Sequence, residues 1–228
     1  VGAANIAIVY ISKLAAPTLS DRVCIMKRRH DEYHHGALRA ELVSRGLEEL
    51  RKTGADQISL RSLANDAGVS KTAPYRHFPS KEAFLGALAE EGFRMLCEVL
   101  EAAGSGTKSA VGVLGPMGRA YMQFAVEHPE LYRLMFSPIV ETIPDDQIHW
   151  ARRALGLLAE SVVISRSGQG AGLEPGSQRH TDAIAATWGF LHGLVLLRLD
   201  DLFPDRIGFP GWDRLAETAE RFGSGVDG

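Results

Sequence analysis

The chain has 228 residues, 45% of them hydrophobic and 23% charged, with a formal net charge of −3. That is enough for one large domain or two smaller ones around a real core. No uninterrupted apolar run approaches the roughly 18 residues of a membrane-spanning helix, and Cys24 and Cys97 stand far apart with no metal or redox spacing, so both are expected to be free thiols in a reducing compartment.

The first segment, VGAANIAIVYI, is apolar but short, and no positive charge precedes it, so no signal peptide is expected. The first methionine is Met26, after which the chain turns basic and polar (MKRRHDEYHH). Residues 1–26 therefore read as a disordered extension or a misassigned start. Charge is uneven beyond this point. Residues 27–81 hold 11 Lys and Arg against 7 Asp and Glu, whereas residues 82–228 hold 12 against 20. A basic module for a polyanion, attached to an acidic body, fits this pattern.

Leu38, Leu42, Val43, Leu47 and Leu50 recur at helical spacing, and KTGAD (52–56) stops that helix. Ser59 suits an N-cap, with Ile58 and Leu63 as a hydrophobic staple. Leu60, Leu63, Ala64 and Ala67 share one face, and Gly68 breaks this second helix. A third, short helix must end near His77, because Phe78 precedes Pro79. Ser80 caps a long fourth helix, with Phe84, Leu85, Leu88 and Leu96 inward, that ends at AAGSG (102–106). Further helices are expected over about 108–127, with Gly115–Pro116 kinking it or delaying its start, from Pro129 through PELYRLMF, and over 145–166, 178–201 and 211–222. SGQGAGLEPGS (167–177) is a loop. No segment alternates like a strand, so the fold class is all-α.

Residues 59–78 carry the main functional signal. Two short helices meet at AGVS (67–70), where Gly68 supplies the backbone freedom of a tight turn. Leu63, Val69 and Phe78 would bury the joint. Lys71, Thr72, Ala73, Tyr75, Arg76 and His77 are left facing outward. Short side chains at the start and donors further along are what a DNA recognition helix needs. A plain helical hairpin has no reason to expose that set. Pro74 fits if Thr72 is the N-cap, since Pro74 then falls in the first turn, where no intrahelical bond is lost. A Ser70 cap would cost one bond.

The stretch HHGALRAELVSRGLEELRKTG…ISLRSLANDAGVSKTAPYRHFPSKEAFLGALAEEG resembles the DNA-binding domain of TetR/AcrR-type transcriptional regulators over about residues 33–92. HPELYRLMF and TWGFLHGLV resemble the ligand-binding domain of members with a Trp-x-x-x-His-Gly motif, here Trp188, His192 and Gly193. The resemblance implies a helix-turn-helix domain over 27–92 and a helical ligand-binding and dimerisation domain over 93–228. It implies double-stranded DNA with a palindromic operator, a small-molecule effector and a second copy of the chain as partners, with no cofactor, no membrane and a cytoplasmic location. Thr72, Ala73 and Arg76 would meet base edges or adjacent phosphates. Tyr75, His77 and Lys81 would hold phosphates, and Ser59, Ser62 and Lys71 add to the same surface. Position 72 departs from the many relatives with glycine there.

For the effector, the implied lining is Met117, Tyr121, Phe124, Met135, Phe136, Trp150, Trp188 and His192, residues that at helical spacing are also ordinary core. His192, one turn after Trp188, reads first as a buried, hydrogen-bonded histidine that orders its helix. Arg133, Arg152 and Arg153 read as surface charges or as partners of an acidic effector. Ala185, Gly189, Gly193 and Leu197 would form the dimer contact, unless these small residues pack within one subunit. The rival readings are a helical adaptor for a small molecule or a protein, and a metal-dependent enzyme. His30, His34 and His35 suggest metal spacing, but no further ligand completes a site, and no catalytic motif is present.

Overall fold

The computed structural model describes residues 32–105, 113–144, 147–167, 174, 176–203, 208–211, 213–215 and 217–218. These are all-α in secondary structure: α1 (Glu32–Thr53), α2 (Leu60–Asp66), α3 (Lys81–Ser105), α4 (Leu114–Glu127), α5 (Pro129–Met135), α6 (His149–Ser167) and α7 (Gln178–Leu199). Short 3-10 turns lie at Ala55–Gln57, Ala73–Arg76 and Pro138–Thr142. The expectations for residues 1–26 and for His30 lie outside the described residues, as does half of the helix expected over 211–222.

The described residues of Val1–Gly92 and Glu130–His149 form one compact unit, and those of Phe93–Pro129 and Trp150–Gly228 a second. In the first unit Leu42, Leu50, Ile58, Leu63, Ala64, Phe78, Phe84 and Leu88 are all buried, as their spacing predicts. Helices α1 and α3 approach closely at Gly46, where an added Cβ would lie 2.5 Å from Cζ of Phe84. Gly92 on α3 makes room in the same way for Met135 and Leu131 of α5.

In the second unit Leu114, Val162 and Ala183 form a buried cluster, with Leu158 packed against it. Helix α4 starts at Leu114, and Pro116 falls in its first turn, where amide donors have no intrahelical partner. Ser177 caps α7 by accepting from the His180 amide at 3.2 Å. His180 then locks this end: its Nδ1 accepts from the Gly176 amide at 3.0 Å, and its Nε2 faces the Ala159 carbonyl of α6 at 3.4 Å.

One expectation needs correcting. Among the described residues, α7 is long and apolar enough to cross a membrane by length and composition, although most of that window lies outside the packed interior. Counting unbroken apolar residues missed this, because Thr, Gly and His are interspersed among its Ala, Leu and Val. Partly covered helices of globular proteins pass the same test.

Candidate nucleic-acid interface and effector site

Ser59 is extended, at φ −129° and ψ 115°, and its Oγ accepts from the Ser62 amide at 3.4 Å, which starts α2. The other end of α2 closes in a Schellman arrangement. The Val69 amide donates to the Ala64 carbonyl and the Gly68 amide to the Asn65 carbonyl, both at 3.0 Å. Gly68 has φ +68°, and a Cβ there would meet nothing within 4 Å. Conformation, not space, therefore demands glycine at this turn. Leu63 and Phe78 are buried at the joint, and Val69 is half-buried.

The segment that follows is a single 3-10 turn, Ala73–Arg76, rather than an α-helix. Its amides bond three residues back: Ala73 to the Ser70 carbonyl at 2.9 Å, Tyr75 to Thr72 at 3.2 Å and His77 to Pro74 at 2.9 Å. Pro74 is buried and falls in the first turn, where its missing amide leaves no intrahelical bond unmade. Thr72 occupies the cap position but has helical φ and ψ and makes no side-chain cap bond. Its hydroxyl lies 3.2 Å from that of Ser70 and is not tied to the backbone.

Ser59, Ser62, Lys71, Thr72, Tyr75 and Arg76 are exposed, and Ala73, His77 and Lys81 are half-buried. Among the described residues, the side chains of Lys71, Tyr75 and Arg76 have no hydrogen-bond or ion-pair partner. Lys81 does: its Nζ donates to the Asp56 carbonyl at 2.6 Å, bridging the segment before α2 and the first turn of α3. Next to it Ser80 accepts from the Ala83 amide at 3.1 Å. The Glu82 carboxyl is held below its usual range by its own backbone amide, then by the Ser80 hydroxyl.

Sequence reasoning passed over Arg39. Helical spacing marks it only as a surface position, yet its Cζ stands 5.2 Å from the centroid of the Phe78 ring. Only the fold brings that pair together.

In the second unit the Tyr121 hydroxyl of α4 is 3.2 Å from Nδ1 of His192 on α7. The Trp188 and His192 rings lie 5.7 Å apart, centroid to centroid. Burial pushes the His192 imidazole down to about 4, so it is neutral at pH 7. Met117 and Phe124 are buried on α4, and the Trp150 carbonyl accepts from the buried Cys97 thiol at 3.6 Å. Met135 and Phe136 belong to the first unit, where Met135 is fully buried and Phe136 tilts against Tyr132 at 4.8 Å. Arg153 pairs with Glu101 at 2.9 Å and Glu160 at 3.2 Å. Among the described residues, no group of three His, Cys, Asp or Glu is placed to hold a metal ion.

A family model described as bacterial regulatory proteins, tetR family, matches residues 42–88. A second, the tetracyclin repressor-like C-terminal domain, matches residues 114–220. The chain belongs to the TetR/AcrR family. It is a ligand-responsive transcriptional regulator of the helix-turn-helix type. The HTH-type transcriptional regulator Rv1816 of Mycobacterium tuberculosis (strain ATCC 25618 / H37Rv) is 25% identical over 91% of this chain and 84% of its own length. A protein of unknown function from Rhodococcus sp. RHA1 is 31% identical, with a TM-score of 0.68 over 85% of this chain and 97% of its own. The transcriptional regulator FadR from Bacillus subtilis, solved in complex with stearoyl-CoA, shares the fold. It is 17% identical, with a TM-score of 0.59 over 82% of this chain and 98% of its own.

Proposed function

We propose that the protein is a cytoplasmic repressor that binds a palindromic operator as a homodimer and is released by a small-molecule effector. The observation that carries the DNA contact is the set of donors on Lys71, Tyr75 and Arg76, unpartnered among the described residues, just after the turn closed by Gly68. A solvated surface segment has no need to hold a buried proline under three exposed donors. Thr72, Ala73 and Arg76 read bases or adjacent phosphates. Ser59, Ser62, Lys71, Tyr75, His77 and Lys81 clamp the backbone. In this reading Lys81 keeps its bond to Asp56 and offers its remaining N–H donors to phosphate.

One such segment reads too few base pairs to be selective. A dimer sets two of them about 34–36 Å apart, matching one turn of duplex. The outer face of α7 supports this reading. Ala185, Gly189 and Leu197 are exposed, and Cβ atoms on Gly189 and Gly193 would meet nothing within 4 Å. Those glycines relieve no crowding inside the subunit, so close approach of a second copy is what they suit. The same contact accounts for an apolar helix left mostly uncovered.

The effector would be largely apolar with a polar end. Met117, Phe124, Trp150 and Trp188 supply apolar surface, while Tyr121 and neutral His192 supply hydrogen bonds. The division of labour follows the domains proposed above, 27–92 for DNA and 93–228 for effector and dimer. Helix α3 is continuous through residue 92 and carries the coupling: effector binding shifts it and changes the spacing of the two recognition segments. By linkage, DNA must weaken effector binding by the same factor. Selection of bound duplexes from a random pool tests the reading. A palindrome is expected, and recovery of no duplex above background rejects DNA recognition.

A further inference from the structure

Two arginines of α1 are held in opposite ways. Arg45 is neutralised in place, its guanidinium on Glu41 at 2.9 Å one turn away. Arg39 is exposed and has no carboxylate partner among the described residues. It rests instead over the ring of Phe78. That ring is tightly packed: it is 2% exposed, meets Phe84 edge-on at 4.9 Å, and its own backbone amide donates to the Pro74 carbonyl at 2.9 Å. Arg39 is therefore fixed beside the C-terminal end of the recognition segment, next to a residue only two positions beyond Arg76.

An aromatic ring attracts a guanidinium without cancelling its charge or using its N–H donors. A cation held this way has already lost much of its rotamer freedom, so less ordering remains to oppose an anion that arrives. The planar fork matches two oxygens of a phosphate. We infer that Arg39 is a phosphate-binding residue, gripping the DNA backbone beside Ala73–Arg76 and extending the contact surface onto α1. This rests on the DNA-binding reading proposed above.

The test uses the full-length protein and two fluorescent duplexes of equal length, one recovered by selection and one scrambled, titrated across a salt series. Arg39→Met keeps an unbranched apolar chain over Phe78 and removes the charge. Arg39→Lys keeps the charge and removes the fork. Arg39→Met is expected to weaken binding about tenfold on both duplexes and to flatten the slope of log K against log salt by about 0.9 for each phosphate left without its cation. Arg39→Lys should recover the slope but only part of the affinity. Melting of the free protein should be unchanged in both variants. Wild-type affinity and slope for Arg39→Met would overturn the inference, as would a lower melting temperature with an unchanged slope, which makes Arg39 a packing residue. If the wild-type protein binds neither duplex, the DNA-binding reading itself fails.

Discussion

The hydroxyl of Tyr121 meets Nδ1 of His192 at 3.2 Å, joining α4 to α7 inside the second unit. The imidazole is kept neutral by burial, down to about 4 from an ordinary 6.5. The unfolded chain takes up a proton near pH 6.5, and the folded chain resists it until about 4. The unfolded state therefore binds more protons in this window, and stability falls as pH drops through it. The loss should total on the order of 3 kcal/mol between pH 7 and pH 4, with none above pH 7. Thermal melts across that range should show a shallower acid decline in His192→Gln than in wild type. Equal declines would remove His192 from the account.

In the first unit Gly46 lets α1 lie against Phe84. A methyl at this position would sit 2.5 Å from Cζ and 3.0 Å from Cε1 of that ring. Phe84 is fully buried and wedged edge-on to Phe78, so it has little room to turn. Gly46→Ala removes an unfavourable glycine from a helix, worth about 1 kcal/mol in an open helix. Overpacking costs about 1–3 kcal/mol and should outweigh that gain. Denaturant melts should show net destabilisation. An unchanged midpoint would mean that the ring gives way freely.

Much of the first unit was legible because its signals are local. Ser59 announces a cap, Ile58 and Leu63 a staple, and Gly68 a turn, each within a few residues. The recognition segment was legible in its exposed residues but not in its geometry. Helical spacing does not distinguish one 3-10 turn from a short α-helix. Contacts far apart in sequence could not be read. Lys81 on the Asp56 carbonyl spans 25 residues, Tyr121 on His192 spans 71, and Arg39 on Phe78 has no local signature at all. The face of α7 lies between these cases: its small residues were visible, but their openness was not.

Thr72 and Tyr75 are exposed on the same turn and differ in chemistry. The Thr72 hydroxyl is free of the backbone and on a short side chain, whereas Tyr75 is a longer exposed side chain with a phenolic hydroxyl. Thr72→Ala should narrow the affinity gap between the selected duplex and single-base variants of it, about 1–3 kcal/mol per recognised pair. Tyr75→Phe should weaken all duplexes alike, by roughly the 0.5–1.5 kcal/mol of one hydrogen bond. Competition binding against a panel of variants separates the two patterns. A uniform loss for Thr72→Ala would move its role to the phosphate backbone.

The α7 face gives the clearest structural wager. Gly189 is exposed, a Cβ added there would meet nothing within 4 Å, and Leu197 is exposed two turns later. Charge here costs an isolated subunit little, because Leu197 is exposed and a Cβ at 189 meets nothing within 4 Å. At a dimer contact the same charge must be buried without a partner, or the helices must separate. Gly189→Arg and Leu197→Glu should therefore leave helical content and melting of the single subunit intact. They should shift sedimentation from dimer to monomer at micromolar concentration, and operator affinity should fall by at least a hundredfold, since a monomer engages only one half-site. Dimeric sedimentation of both variants with wild-type operator binding would mean that the second copy docks elsewhere, and that the open glycines of α7 serve another partner.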